Sequence, residues 1–232
     1  MEPEGLANRD SRDLPNYTPA EAAGWLGESK GRLTYWLKGW GPNSRYSVSV
    51  IEPAQRKPLT LSFNNLVECS ILAAIREDFG ISLQKTRKAL EYLSQVGERL
   101  GTARPLLSAK FASDGIHLFV EHFGALIAAS HAGQVHLRAM LEASLRRIER
   151  DSAGMAIRLY LWSHSPEEPR IVSVDPRFAF GRPVLIDTSI PAEAIVERFR
   201  SGERIVDLAQ DYRVQSQQVE ALLRWALAPT AA

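Results

Sequence analysis

Apolar residues recur at helical spacing near both ends of this chain and break into shorter, less regular runs between them. Thr18-Pro19-Ala20-Glu21 opens the first periodic segment. It supplies a threonine to cap, a proline suited to the first helical position and a glutamate to close a capping box. Ala20, Ala23, Trp25 and Leu26 give this segment a short buried face, and Gly27 turns the chain. Ser29 then caps a second helix to about Lys38, with Leu33, Trp36 and Leu37 on one face and Lys30, Thr34 and Lys38 on another at i, i+4 spacing. Two short helices about a glycine turn, the second basic on its outer face, make the pattern of a helix-turn-helix.

The pattern beyond it predicts a sequence of short elements. Gly39 to Pro58 is turn-rich around an alternating strand, Tyr46 to Ile51, of the kind that lies as a wing on a DNA backbone. Ser62 caps a helix from Phe63 to Asp78, whose Leu66, Cys69, Ile71, Leu72 and Ile75 form a broad apolar surface, and Ser82 caps a further amphipathic helix. In the middle, Ala109 to Glu121 reads as a hairpin turned at Asp114-Gly115, and Leu126 to Ser130 as another strand. A helix follows from Gly133-Gln134 to about Arg150, striped by Leu137, Leu141, Leu145 and Ile148, then a strand from Met155 to Trp162. Three prolines between 165 and 176 mark a loop. Pro191 begins a helix through Arg200, Glu203 to Tyr212 makes a second, and Ser216 caps a third with Val219, Leu222, Leu223 and Trp225 as its core face, a small bundle again of helix-turn-helix type. No fixed-period repeat runs through the chain.

These elements predict an α+β, mainly helical protein. Residues 1–13 read as a disordered tail, 14–100 as a winged helix-turn-helix, 101–165 as a small α/β middle region, 166–180 as a linker and 181–228 as a three-helix bundle. At 232 residues, 45% hydrophobic and 24% charged, the chain has enough apolar material for a real core. Its single cysteine, Cys69, rules out an internal disulfide framework and any cysteine-rich zinc module. With no apolar leader and no run long enough to span a bilayer, a cytoplasmic location is expected.

Charge changes the picture locally. The formal net charge is only +1, yet Ser29 to Pro58 holds Lys30, Arg32, Lys38, Arg45, Arg56 and Lys57 against one acid, Glu52. Such a patch suits a phosphate backbone. Lys30, Arg32, Thr34, Tyr35 and Lys38 are therefore the expected major-groove contacts, with Arg45, Arg56 and Lys57 on phosphates and Gly31 letting the backbone approach. The expected partner is double-stranded operator DNA, bound by a homodimer with the helix around Leu137 to Leu145 as the candidate for part of its contact. His117, His122, His131 and His136 do not fall on one helical face, so no metal is expected, and no cofactor. Without a nucleophile elbow, phosphate loop or dinucleotide fingerprint, no catalytic residue is assigned and an enzyme is not expected.

Two stretches also resemble known families. Tyr17-Thr-Pro-Ala-Glu-Ala-Ala-Gly-Trp-Leu-Gly27 with Leu33-Thr-Tyr-Trp36 resembles the start of MerR-type winged helices. Residues 181–227, with Thr188-Ser-Ile-Pro191, Gly202-Glu203 and Leu208-Ala-Gln-Asp-Tyr212 in register, resemble the antitoxin-like domain-of-unknown-function family numbered 433, although Asp187 stands where many members have glycine. The whole arrangement is similar to VapB-type antitoxins. That resemblance implies neutralisation of a PIN-like ribonuclease toxin and repression of the shared operon. Against an acidic nuclease site arginine is the fitting residue, which nominates Arg182, Arg198, Arg200, Arg204 and Arg213 as toxin contacts. The alternatives are a MerR-like regulator without a toxin and an interaction scaffold that does not bind DNA.

Overall fold

The computed structural model describes residues 10–38, 49, 51–79, 88, 92, 95–96, 98–99, 101, 104–108, 111, 115–126, 131–161 and 170–228. It is mixed α and β and mainly helical among these residues, as expected. Helix α1, Pro19–Trp25, starts where the capping signal lies. The Glu21 amide donates to Thr18 Oγ1 at 3.2 Å, and Thr18 N donates to Glu21 Oε2 at 2.8 Å. Helix α2, Lys30–Lys38, packs on α1. A two-stranded hairpin, β1 (Gln55–Arg56) and β2 (Leu59–Thr60), leads to the long helix α3, Phe63–Phe79, whose first turn is capped by Ser62 Oγ. Leu66, Cys69, Ile71, Leu72 and Ile75 are all buried, so the apolar surface read from the sequence is the core face.

Helices α4, Ile116–Leu126, and α5, His131–Arg146, pack on each other, and α5 lies against α3. A four-stranded antiparallel meander follows in chain order: β3 (Ile148–Arg150), β4 (Ala156–Leu161), β5 (Val172–Val174) and β6 (Val184–Leu185). Val172 and Val174 face Leu161 and Leu159 across the ladder. Three short helices complete the chain: α6 (Ala192–Arg200), α7 (Ile205–Tyr212) and α8 (Ser216–Ala226), each in contact with the other two. The buried apolar residues form one contiguous cluster from Tyr17 to Leu223, with Trp36, Phe63, Phe111 and Phe119 among its largest members.

Several expectations are corrected. The hairpin expected over Ala109 to Glu121 is instead helical from Ile116. Ile116, Phe119 and Val120 satisfy i, i+3, i+4 burial, and that face packs on α5. The helix expected to reach Arg150 ends at Arg146, and Ile148–Arg150 joins the sheet because β4 offers a ladder partner. Gln215, not Ser216, precedes the last helix as its cap. The expected linker, 166–180, carries β5 in the interior of the sheet order. Of the expected tail, 1–9 lies outside the described residues, whereas Ser11–Asp13 forms a 3-10 turn and Arg12 pairs with Asp10 and Asp151. The strands expected at Tyr46 to Ile51 and Leu126 to Ser130, and the helix expected after Ser82, fall largely or wholly outside the described residues. The helix expected to contribute to a dimer contact turns its leucine stripe inward. Leu137 and Leu141 are fully buried against this chain's own helices, and returning each to water would cost about 2 kcal/mol.

Candidate nucleic-acid interface

The turn between α1 and α2 is fixed by the backbone. Gly27 sits at φ +67°, and the Glu28 amide donates back to the Ala23 carbonyl at 2.9 Å, satisfying an end-of-helix acceptor. The Leu33 amide then bonds the Ser29 carbonyl at 3.2 Å, starting α2. Leu33, Trp36 and Leu37 are fully buried, which orients the opposite face outward. Gly31 and Lys38 are exposed there and Lys30 is exposed in the first turn, with Thr34 and Tyr35 half-buried. The Thr34 hydroxyl donates to the Lys30 carbonyl at 2.8 Å. A Cβ added at Gly31 would meet nothing within 4 Å, so internal packing does not demand glycine there.

Arg32 does not join this face. It is turned back one turn to pair with the buried Glu28. Beyond α2, Arg56 and Lys57 are exposed on the β1–β2 hairpin, where Arg56 also pairs with Glu52 at 2.6 Å. Arg45 lies outside the described residues.

The C-terminal arginines divide in the same way. Arg198 bonds Glu203 through Nε at 2.8 Å and Asp211 at 2.6 Å, with its guanidinium over the Tyr212 ring. Arg204 pairs with Asp207 at 2.7 Å. These bonds hold the Glu203 and Asp207 carboxyls below their ordinary range. Arg182 reaches back to Glu21 on α1 and lies 6.0 Å from the Trp25 ring. Burial works against ionisation of Glu21, but its bonds to Thr18 and Arg182 prevail and lower its pKa. Arg200 and Arg213 are exposed. Asp187 holds φ +58°, a conformation that aspartate adopts more readily than most residues.

Residues 172–226 match the family described as a protein of unknown function (DUF433). The matched stretch runs from β5 through α8. Over nearly its whole length the chain is also similar to "Putative antitoxin VapB45" of Mycobacterium tuberculosis (strain ATCC 25618 / H37Rv). The two are 24% identical over 237 residues, covering 91% of this chain and 93% of that one. The crystal structure of Rv2018 from Mycobacterium tuberculosis shares the fold, with a TM-score of 0.65 at 21% identity over 90% of this chain and 98% of that chain.

Of the remaining polar groups, Asp10, Arg12, Asp151 and Arg177 line a shared cleft in which Arg12 pairs with both acids. His117 Nδ1 lies 2.9 Å from Arg138, His122 stacks on Tyr92, and Cys69 is buried with its thiol pushed up by desolvation. Among the described residues, no three His, Cys, Asp or Glu side chains come together as metal ligands. Among the same residues, no helix is long and apolar enough to cross a membrane. Sequence reasoning missed Glu21 as the partner of Arg182 and Glu28 as the partner of Arg32. The second was legible as an i, i+4 pair; the first joins residues 161 positions apart and had no local signal.

Proposed function

We propose that this chain is a cytoplasmic, DNA-binding antitoxin. In this reading α1 and α2 are the helix-turn-helix of a MerR-like winged unit, and α2 docks in the major groove of the chain's own operator. The C-terminal module meets a PIN-like ribonuclease toxin. The observation that carries the DNA half is the division of α2: Leu33, Trp36 and Leu37 are sealed in the core while Lys30, in the first turn, and Lys38, on the opposite face, stand exposed. The toxin half is supported by similarity to a protein bearing an antitoxin name along nine-tenths of this chain.

Lys30 and Lys38 then contact phosphates or base edges, with Thr34 and Tyr35 between them and Gly31 admitting the duplex. Arg56 and Lys57 hold phosphate from the hairpin. Arg32 braces the turn through Glu28. Among the arginines nominated for the toxin, Arg200 and Arg213 are exposed and have no ion pair among the described residues, and Arg200, on α6, is the candidate for an acidic nuclease site. Replacing Lys30 and Lys38 with alanine should weaken operator binding in a gel shift and lower the slope of log affinity against log salt by about 2. An unchanged slope would remove α2 from the interface. Co-purification with the product of the adjacent gene tests the second half: DNA binding without a complex would leave a regulator that has no toxin.

A further inference from the structure

The turn that joins α7 to α8 repeats the turn that joins α1 to α2, residue for residue, 186 positions later. Arg213 holds φ +56°, as Gly27 holds +67°. The Val214 amide donates to the Ala209 carbonyl at 3.0 Å, the equivalent of Glu28 to Ala23 at 2.9 Å. Val219 N bonds Gln215 O at 3.3 Å, the equivalent of Leu33 to Ser29 at 3.2 Å. Burial follows the same template. Ala209, Val219, Leu222 and Leu223 are buried where Ala23, Leu33, Trp36 and Leu37 are buried. Across these twenty-residue windows only Ala23/Ala209 and Leu37/Leu223 are identical. The similarity therefore lies in backbone geometry and burial, which is what a shared docking geometry requires.

The outward positions correspond too. Lys30, Gly31, Thr34 and Lys38 map onto Ser216, Gln217, Glu220 and Arg224, and the last three of these are exposed. Their chemistry is that of base edges: glutamine pairs with adenine N6 and N7, arginine with guanine O6 and N7, and glutamate accepts from cytosine N4. Arg213 and Arg224 place a cation at each end of this face. Apart from Glu220 on the face itself, the acids at the ends of α6 and α7 are occupied internally, Glu203 and Asp211 by Arg198 and Asp207 by Arg204. The two units are also joined, through Arg182 to Glu21 and through the Asn16 amide to the Phe180 carbonyl at 2.7 Å.

We infer that α7 and α8 form a second helix-turn-helix, with α8 reading the major groove of duplex DNA through Gln217, Glu220 and Arg224. A single chain would then read two separate stretches of sequence, α2 chiefly by charge and α8 chiefly by base contacts. This rests on the reading of the chain as a DNA binder, and it leaves Arg200 on α6 for the toxin.

The test is selection of bound duplexes from a random double-stranded DNA library by the full chain, by Gln217→Ala and Arg224→Ala, and by the Lys30→Ala/Lys38→Ala double variant. The wild type should enrich two blocks of sequence preference. Each α8 variant should relax one block roughly ten- to hundred-fold at the position it contacts, and the α2 variant should weaken binding across all sequences. Unchanged melting temperatures would show that these exposed substitutions leave the fold intact. One enriched motif that neither Gln217→Ala nor Arg224→Ala alters would overturn the inference while leaving α2 as the DNA contact. An unaltered motif together with lost binding of the adjacent gene's product would also overturn it, by making α8 a protein face. No enrichment and no salt-sensitive DNA retention would overturn both this inference and the reading beneath it.

Discussion

Glu68 sits on α3 within 3.3 Å of the Asn65 amide. Burial pushes its carboxyl up to about 7, against the pull of Arg104 and Asn65 and with a smaller push from Asp13. An unfolded glutamate titrates near 4.3, so the native state holds this proton more tightly than the unfolded chain. The stability this confers is fully present below about pH 4 and is lost as pH rises through about 7. Glu68→Gln should therefore melt close to the parent at about pH 5 and more stably at about pH 8, by on the order of 2 kcal/mol. Thermal unfolding at the two values checks this; a parent whose stability rises over that interval would contradict the assignment.

Among the elements, the α7–α8 turn carries a conformational cost that the α1–α2 turn does not. Gly27 takes its positive φ without penalty, whereas Arg213 takes the same region with a side chain. Arg213→Gly should raise stability by roughly 0.5–1 kcal/mol and, if α8 meets DNA, should weaken binding by removing a phosphate contact. The two effects run in opposite directions, so melting temperature and DNA affinity measured on the same sample separate them. A variant that gains neither stability nor loses affinity would argue that Arg213 has no part in the interface.

For the whole molecule, what matters is how the C-terminal helices are held to α1 and α2. The Arg182–Glu21 pair is about two-fifths and one-third exposed on its two sides, and an ion pair of that kind contributes about 0–1 kcal/mol. Close packing at Gly181 matters more. Its φ is +74°, and a Cβ there would lie 2.5 Å from the Tyr17 hydroxyl and 2.8 Å from the Asn16 amide nitrogen. Gly181→Ala should cost roughly 1–3 kcal/mol, while Arg182→Ala should cost much less. Chemical denaturation of the two variants ranks them, and the reverse order would show that charge rather than packing closes the seam.

Sequence alone determined the elements whose signals are local. Thr18-Pro19 and Glu21 start α1, Ser62 caps α3, Pro191 opens the last three helices, and the spacing of Leu33, Trp36 and Leu37 fixes which way α2 faces, because caps and periodicity act within a turn or two of chain. Tertiary structure decided what needed a distant partner. Ile148–Arg150 is a strand because β4 lies beside it, Leu137 and Leu141 are core because α3 and α4 cover them, and Arg182 is tied down because Glu21 is folded next to it. That both ends are of helix-turn-helix type was legible in their short helices and turns, but the position-by-position match of φ, backbone hydrogen bonds and burial was not, because only two identities in twenty positions record it.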